Sequence, residues 1–177
     1  MKRVYVNEKW CLGCHLCEYN CAFANSGIGD MVLALKGKPL YPRIHVEGDE
    51  KITYAVSCRH CTDPLCVKSC IAGALHVEDG VICVDREKCV GCLTCVLVCP
   101  YGALSPGEDG VMQKCELCLT NGRGEPACVK GCPNHAIVYE EREPYFVRDP
   151  AGEPLQNELS TTESAVKSFV LEEEAAL

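Results

Sequence analysis

Sixteen of the seventeen cysteines in this 177-residue chain fall into four groups of four, and this spacing limits the possible folds more than any other feature. The first group is Cys11-x2-Cys14-x2-Cys17-x3-Cys21, followed by Ala22. The second is Cys58-x2-Cys61-x4-Cys66-x3-Cys70. The third is Cys89-x2-Cys92-x2-Cys95-x3-Cys99, with Pro100 next. The fourth is Cys115-x2-Cys118-x9-Cys128-x3-Cys132, with Pro133 next. Cys83 is left over, in the strand-like run Val81-Ile82-Cys83-Val84, where a small buried hydrophobe is expected.

The chemistry of such groups is specific. A cubane [4Fe–4S] cluster needs four thiolates at the corners of a compact tetrahedron. Three cysteines in one tight loop reach three irons of one cube, and the backbone N–H groups of that loop point at the sulfides. The fourth cysteine lies past the loop, is expected to open a helix, and ligates a different cluster, as in bacterial two-cluster ferredoxins. The third quartet matches that C-x2-C-x2-C-x3-C-P run in full, and the first departs only at Ala22. Zinc and disulfides are the competing readings. Zinc favours C-x2-C pairs that close one four-ligand site, without an outlying fourth member. Disulfides need an oxidising compartment. Iron–sulfur is preferred because the pattern recurs four times.

Composition agrees. Aromatic residues make up only 6% of the chain, so large side chains cannot supply the whole core. The formal charge of −8 argues against nucleic acid as a partner. No run reaches the roughly 18 apolar residues of a membrane span. Met1 to Glu8 lacks the apolar core of a secretory signal, so a cytoplasmic location is expected, where thiols stay reduced.

An internal repeat surrounds the quartets. Cys70, Cys99 and Cys132 each precede an Ala by four residues (Ala74, Ala103, Ala136), with an aliphatic residue next. The small Ala lets backbone pack close to a cluster. Asp79-Gly80 between His76-Val77 and Val81–Val84 reads as a hairpin turn, and Glu108-Asp109-Gly110-Val111 repeats it. An insertion runs from Cys21 to residue 57. In it, residues 43–46 and 52–56 flank Gly48-Asp49 as a third hairpin. Val4 and Val6 predict one more short strand.

The expected fold class is α+β: two bacterial-ferredoxin-like units, each with short strands and helices around a pair of clusters. Residues 1–57 and 106–142 form the first unit, with the first and fourth quartets. Residues 58–105 form the second, with the second and third. Residues 143–177 are a tail, extended through Pro144, Pro150 and Pro154. A helix follows, opened by the capping box Ser160-Thr161-Thr162-Glu163. Val166, Phe169 and Val170 share one face of it, roughly in line with Leu177. Docking on another subunit, packing on its own domain and disorder are the readings for this tail.

A cluster with four cysteine ligands has no open iron for substrate, so its available chemistry is one-electron transfer. All-thiolate ligation points to potentials near about −400 mV. Four oxidised clusters at about −2 each bring the formal −8 to about −16. Arg59, Lys68, Lys114 and Arg123 either moderate that field or are ordinary surface charge. His15 and His60 lie inside cysteine loops, where a hydrogen bond to sulfur or a partner contact is expected rather than ligation. No catalytic triad, phosphate loop or H-E-x-x-H motif is present, so no catalysis by this chain alone is expected.

On these quartets the sequence resembles the electron-transfer subunits associated with the dimethyl sulfoxide reductase superfamily. It is most similar to a compact branch serving CO dehydrogenases, formate dehydrogenase–hydrogenase complexes, and tungsten aldehyde oxidoreductases with class II benzoyl-CoA reductases. The resemblance covers about residues 1–140. It implies four [4Fe–4S] clusters with crossed ligation. Cys11, Cys14, Cys17 and Cys132 would hold one, and Cys115, Cys118, Cys128 and Cys21 its pair. Cys58, Cys61, Cys66 and Cys99 would hold a third, and Cys89, Cys92, Cys95 and Cys70 the fourth. Some relatives replace the second cysteine of the third quartet and hold a three-iron cluster; Cys92 is present here. The implied function is a wire subunit bound to a catalytic oxidoreductase subunit, tungsten aldehyde oxidoreductase being preferred, and to another redox subunit (a flavin or hydrogenase subunit) or carrier. A free polyferredoxin and a conductive scaffold built by self-assembly through the tail helix are the alternatives.

Overall fold

Short strands and short helices alternate along the chain because each cysteine loop leaves room for little else. The structure, a computed structural model, describes residues 1–121 and 124–141. The described residues fall in one compact unit. The expected extended tail, its helix and Arg123 lie outside the described residues.

Strand β1 (Lys2–Val6) leads through a single 3-10 turn at Glu8–Trp10 to helix α1 (Leu16–Asn25). Helix α2 (Met31–Leu35) follows, and the hairpin β2 (Ile44–Gly48) and β3 (Thr53–Ser57) completes the insertion. The second quartet carries α3 (Leu65–Lys68) and runs into the hairpin β4 (Leu75–Glu78) and β5 (Val81–Val84). The third carries α4 (Thr94–Val98) and runs into β6 (Leu104–Pro106) and β7 (Met112–Lys114). The fourth carries α5 (Ala127–Lys130) and ends in β8 (Ile137–Glu141). The described residues thus form a small mixed α and β fold.

The strands pair as four antiparallel two-stranded sheets: β1 with β8, β2 with β3, β4 with β5 and β6 with β7. All three expected hairpins form. Asp79 and Gly80 both take left-handed φ, 48° and 78°, as a tight hairpin turn requires. The predicted first strand also forms, but its partner is β8 at the far end of the described chain, with Val4 opposite Tyr139. Helix α1 packs on α5 and α3 on α4. The first quartet therefore sits beside the fourth, and the second beside the third.

The core consists of small aliphatic side chains and thiols. Val4, Ile44, Ala55, Leu75, Ile82, Leu104, Met112, Leu117 and Ile137 are buried together with seven cysteines of the quartets. Tyr5 is the only buried aromatic side chain among the described residues. The low aromatic content is therefore a property of how this core is built.

Candidate metal centre: four cysteine loops

One backbone turn is used four times. The second of the two residues between the cysteines of every opening Cys-x2-Cys step has left-handed φ: Gly13 (62°), His60 (48°), Gly91 (66°) and Leu117 (56°). Glycine takes this conformation freely, whereas His and Leu pay on the order of 1–3 kcal/mol. At Gly91 space is limiting too, since a Cβ there would lie 3.0 Å from the Gly110 carbonyl oxygen. The turn curls each loop and aims its amides inward. His60 N donates to Cys58 Sγ (3.4 Å) and Leu117 N to Cys115 Sγ (3.4 Å).

Other elements add donors to the thiols. The first residues of two strands do so: Leu75 N to Cys70 Sγ and Met112 N to Cys89 Sγ, both 3.5 Å. The insertion supplies Arg43 N to Cys21 Sγ (3.2 Å), and α1 supplies Asn25 Nδ2 to the same sulfur (3.6 Å). Asn25 and the insertion amide were not anticipated from sequence, because neither residue lies in a cysteine motif.

The helices meet the quartets differently from expectation. The third cysteine, not the fourth, begins each helix: Cys17, Cys66, Cys95 and Cys128 are the second residues of α1, α3, α4 and α5. The fourth cysteine comes one turn later. Cys21 lies within α1, Cys99 caps α4, and Cys70 and Cys132 lie just past α3 and α5. Positions i and i+4 share a helix face, so α1 carries two thiols about one turn apart, whereas α3, α4 and α5 carry one each and end before the fourth cysteine.

Two thiol sets surround cavities. Cys70, Cys89, Cys92 and Cys95 line one pocket, with Ala74 on its wall. Cys11, Cys14, Cys17 and Cys132 line another, with Ala136 on its wall. Each cavity takes three cysteines from one loop and one from another quartet. The buried alanines of the repeat (1% exposed at both sites) sit where close packing was expected.

The other two sets gather around buried positions. Burial pushes the Cys66 thiol up to about 12, with neighbouring Cys58 and Cys99 adding to the effect. Burial likewise raises Cys61 to about 11, again beside Cys58 and Cys99. Cys128 is raised well above the usual thiol range by burial, then by Cys115, Cys21 and Cys118. Cys21 rises to about 11 through burial, with Cys118 adding to the effect. Burial also takes Cys17 and Cys115 to about 12. Without metal these thiols hold their protons, so metal binding must release them.

The remaining expectations divide. Cys83 is only half-buried, in the outer half of β5 beyond the buried Val81 and Ile82, and its Sγ lies 3.8 Å from the Val81 carbonyl. His15 is exposed and pairs with Glu18 (2.8 Å). His60 is buried, and burial, followed by the charges of Lys114 and Arg3, lowers its pKa to about 2. Its Nδ1 accepts from Ile82 N (3.1 Å), so the neutral ring carries its proton on Nε2. Lys68 is an exposed partner of Asp63, and Arg59 lies over the Tyr101 ring. Lys114 is fully buried. Glu116 escaped the sequence reading: it is buried, accepts from Arg43 (2.7 Å) and Val84 N (3.1 Å), and ties the fourth loop to the insertion and to β5.

A sequence profile of the 4Fe–4S dicluster domain matches residues 50–142, which contain three of the four quartets. An iron–sulfur protein of Rhodospirillum rubrum is 35% identical over 160 residues, covering 81% of this chain and 84% of that protein. The chain belongs to the 4Fe–4S dicluster family. The electron transport protein HydN of Escherichia coli is 34% identical over 148 residues, covering 75% of this chain and 83% of HydN. Among solved structures, the active-site complex BamBC of benzoyl coenzyme A reductase aligns with a TM-score of 0.46 at 23% identity, covering 96% of this chain and 89% of that one.

The residues of this 4Fe–4S protein fit the group its family implies. Among the described residues no group of three or more His, Cys, Asp or Glu is set to hold a metal ion. Two of the thiol sets line shared pockets, three thiols from one loop and one from another quartet. The N–H···S donors suit the negative charge that thiolate-held iron–sulfur clusters carry.

Proposed function

We propose that the chain holds four [4Fe–4S] clusters and relays single electrons between a catalytic oxidoreductase subunit and a second redox subunit or carrier. The ligand sets are Cys11, Cys14, Cys17 with Cys132; Cys115, Cys118, Cys128 with Cys21; Cys58, Cys61, Cys66 with Cys99; and Cys89, Cys92, Cys95 with Cys70. The observation that carries this reading is the pair of cavities, each lined by three thiols of one loop and the fourth cysteine of another quartet. When bound, such clusters supply one-electron redox chemistry at low potential.

The chain's own residues support a relay with two ends. Cys14 and Cys92, in the two cavity-lining sets, are exposed, whereas no cysteine of the other two sets is. Apolar side chains stand around both outer sets: Trp10 (58% exposed) and Leu12 at one, Val90 (68%) and Leu93 (43%) at the other. Exposed apolar groups beside a redox site suit contact with a partner protein. HydN is named for electron transport, which agrees with a subunit that has no catalysis of its own. Tungsten aldehyde oxidoreductase is the catalytic partner we prefer, on the sequence resemblance, and the cytoplasm the location. No described helix is long and apolar enough to cross a membrane.

Anaerobic iron and sulfide analysis with EPR tests the cluster count. The expected value is about sixteen irons per chain. Iron near eight, or a dominant three-iron signal from intact protein, would overturn the reading.

A further inference from the structure

A hydrogen-bonded bridge joins the two inner thiol sets through one lysine. His60 N donates to Cys58 Sγ (3.4 Å), and Ile82 N donates to His60 Nδ1 (3.1 Å). The Ile82 carbonyl then accepts from Lys114 Nζ, and the same ammonium donates to the Cys115 carbonyl (2.5 Å). Leu117 N finally donates to Cys115 Sγ (3.4 Å). The bridge thus runs from a thiol of the second quartet to a thiol of the fourth.

Lys114 is 1% exposed, the largest fully buried side chain of the described residues. No carboxylate among them pairs with it. The ion pairs join other residues, and the nearby buried carboxylate, Glu116, is taken by Arg43. Two carbonyls alone do not balance a buried ammonium, because a charge taken from water needs an opposite charge beside it. The groups on either side that can supply negative charge are the inner thiol sets.

We propose that Lys114 is the internal counter-charge of the two inner clusters and holds their reduction potentials up. This rests on the four-cluster reading above. Adding one electron to an inner cluster adds one negative charge, and a fixed cation beside it stabilises the reduced form more than the oxidised form. The bridge does not reach the outer sets, whose potentials are expected to stay. An internal cation keeps the middle of the relay from becoming an uphill barrier between its ends.

The test is a potentiometric EPR titration of the full chain, reconstituted anaerobically, with dithionite as reductant. Wild type is compared with Lys114→Met, Lys114→Gln and Lys114→Arg after each has been assayed for iron. In the Met and Gln variants two of the four one-electron waves should move down by at least 59 mV, the tenfold change of a one-electron equilibrium. The other two should stay, and Lys114→Arg should keep all four near wild type. A purely structural anchor would leave the potentials of loaded Lys114→Gln unchanged, and that result overturns the proposal. So does an Arg variant that shifts as far as Met. If Met and Gln load no iron while Arg loads fully, the charge is needed to hold the inner clusters and the proposal stands. If none of the three loads, the site is one of packing and the proposal falls. Wild type short of about sixteen irons would instead refute the four-cluster reading itself.

Discussion

Cys99 caps α4 one turn after Cys95, yet its thiol lies with Cys61 and Cys66 of another quartet. Replacing it should therefore damage the cluster held by Cys58, Cys61 and Cys66 more than the one held by Cys89, Cys92 and Cys95. EPR-resolved titration of Cys99→Ser beside Cys95→Ser checks this; identical patterns in the two variants would show the pairing to be wrong. The cysteines were legible in sequence because cluster ligation restricts both residue type and spacing. The burial of Lys114 was not. Nothing in Met112-Gln113-Lys114 distinguishes a core lysine from a surface one, since the burial arises where β5 and β7 meet. The same holds for Glu116, whose partners Val84 and Arg43 are 32 and 73 residues away.

The hairpins were legible because each depends on a local signal. Asp79-Gly80 supplies two left-handed residues, and Asp49 Oδ1 accepts from Lys51 N (2.8 Å) and Ile52 N (3.0 Å) to turn β2 into β3. Strand β8 and helix α2 were missed. The partner of β8 is β1, at the opposite end of the described chain, and no local pattern encodes that pairing. Helix α2 has five residues, too few for a periodic signal, though Asp30 Oδ1 caps it through Leu33 N (2.9 Å). Short elements of this kind depend on cross-ties, and Glu116 is such a tie among the fourth loop, β5 and the segment before β2. Glu116→Ala removes the acceptor for Val84 N and leaves the largely buried Arg43 guanidinium without its partner. The expected cost is about 3 kcal/mol. It should be read as bleaching of the cluster absorbance at lower temperature on anaerobic heating, while Lys68→Ala, which breaks the exposed pair with Asp63, should bleach with wild type.

At the scale of the molecule, all sixteen proposed ligands lie before residue 133, and the described fold closes with the pairing of β8 and β1. A chain ending at Glu143 keeps every ligand and both strands. What it loses is the proline-rich stretch and the segment with Val166, Phe169 and Val170. Burying three such side chains on a partner contributes roughly 1.5–3 kcal/mol each before ordering costs. Several kcal/mol is enough to decide whether a small subunit stays bound. Truncation should therefore leave iron content and cluster spectra unchanged, while weakening attachment to the catalytic subunit or to another copy of the chain. Analytical ultracentrifugation of the full and shortened proteins, alone and with the catalytic subunit, separates these two attachments, and an iron assay on the same samples checks the redox unit. Unchanged assembly would show that the tail does not dock, and lost iron would show that the redox unit needs it.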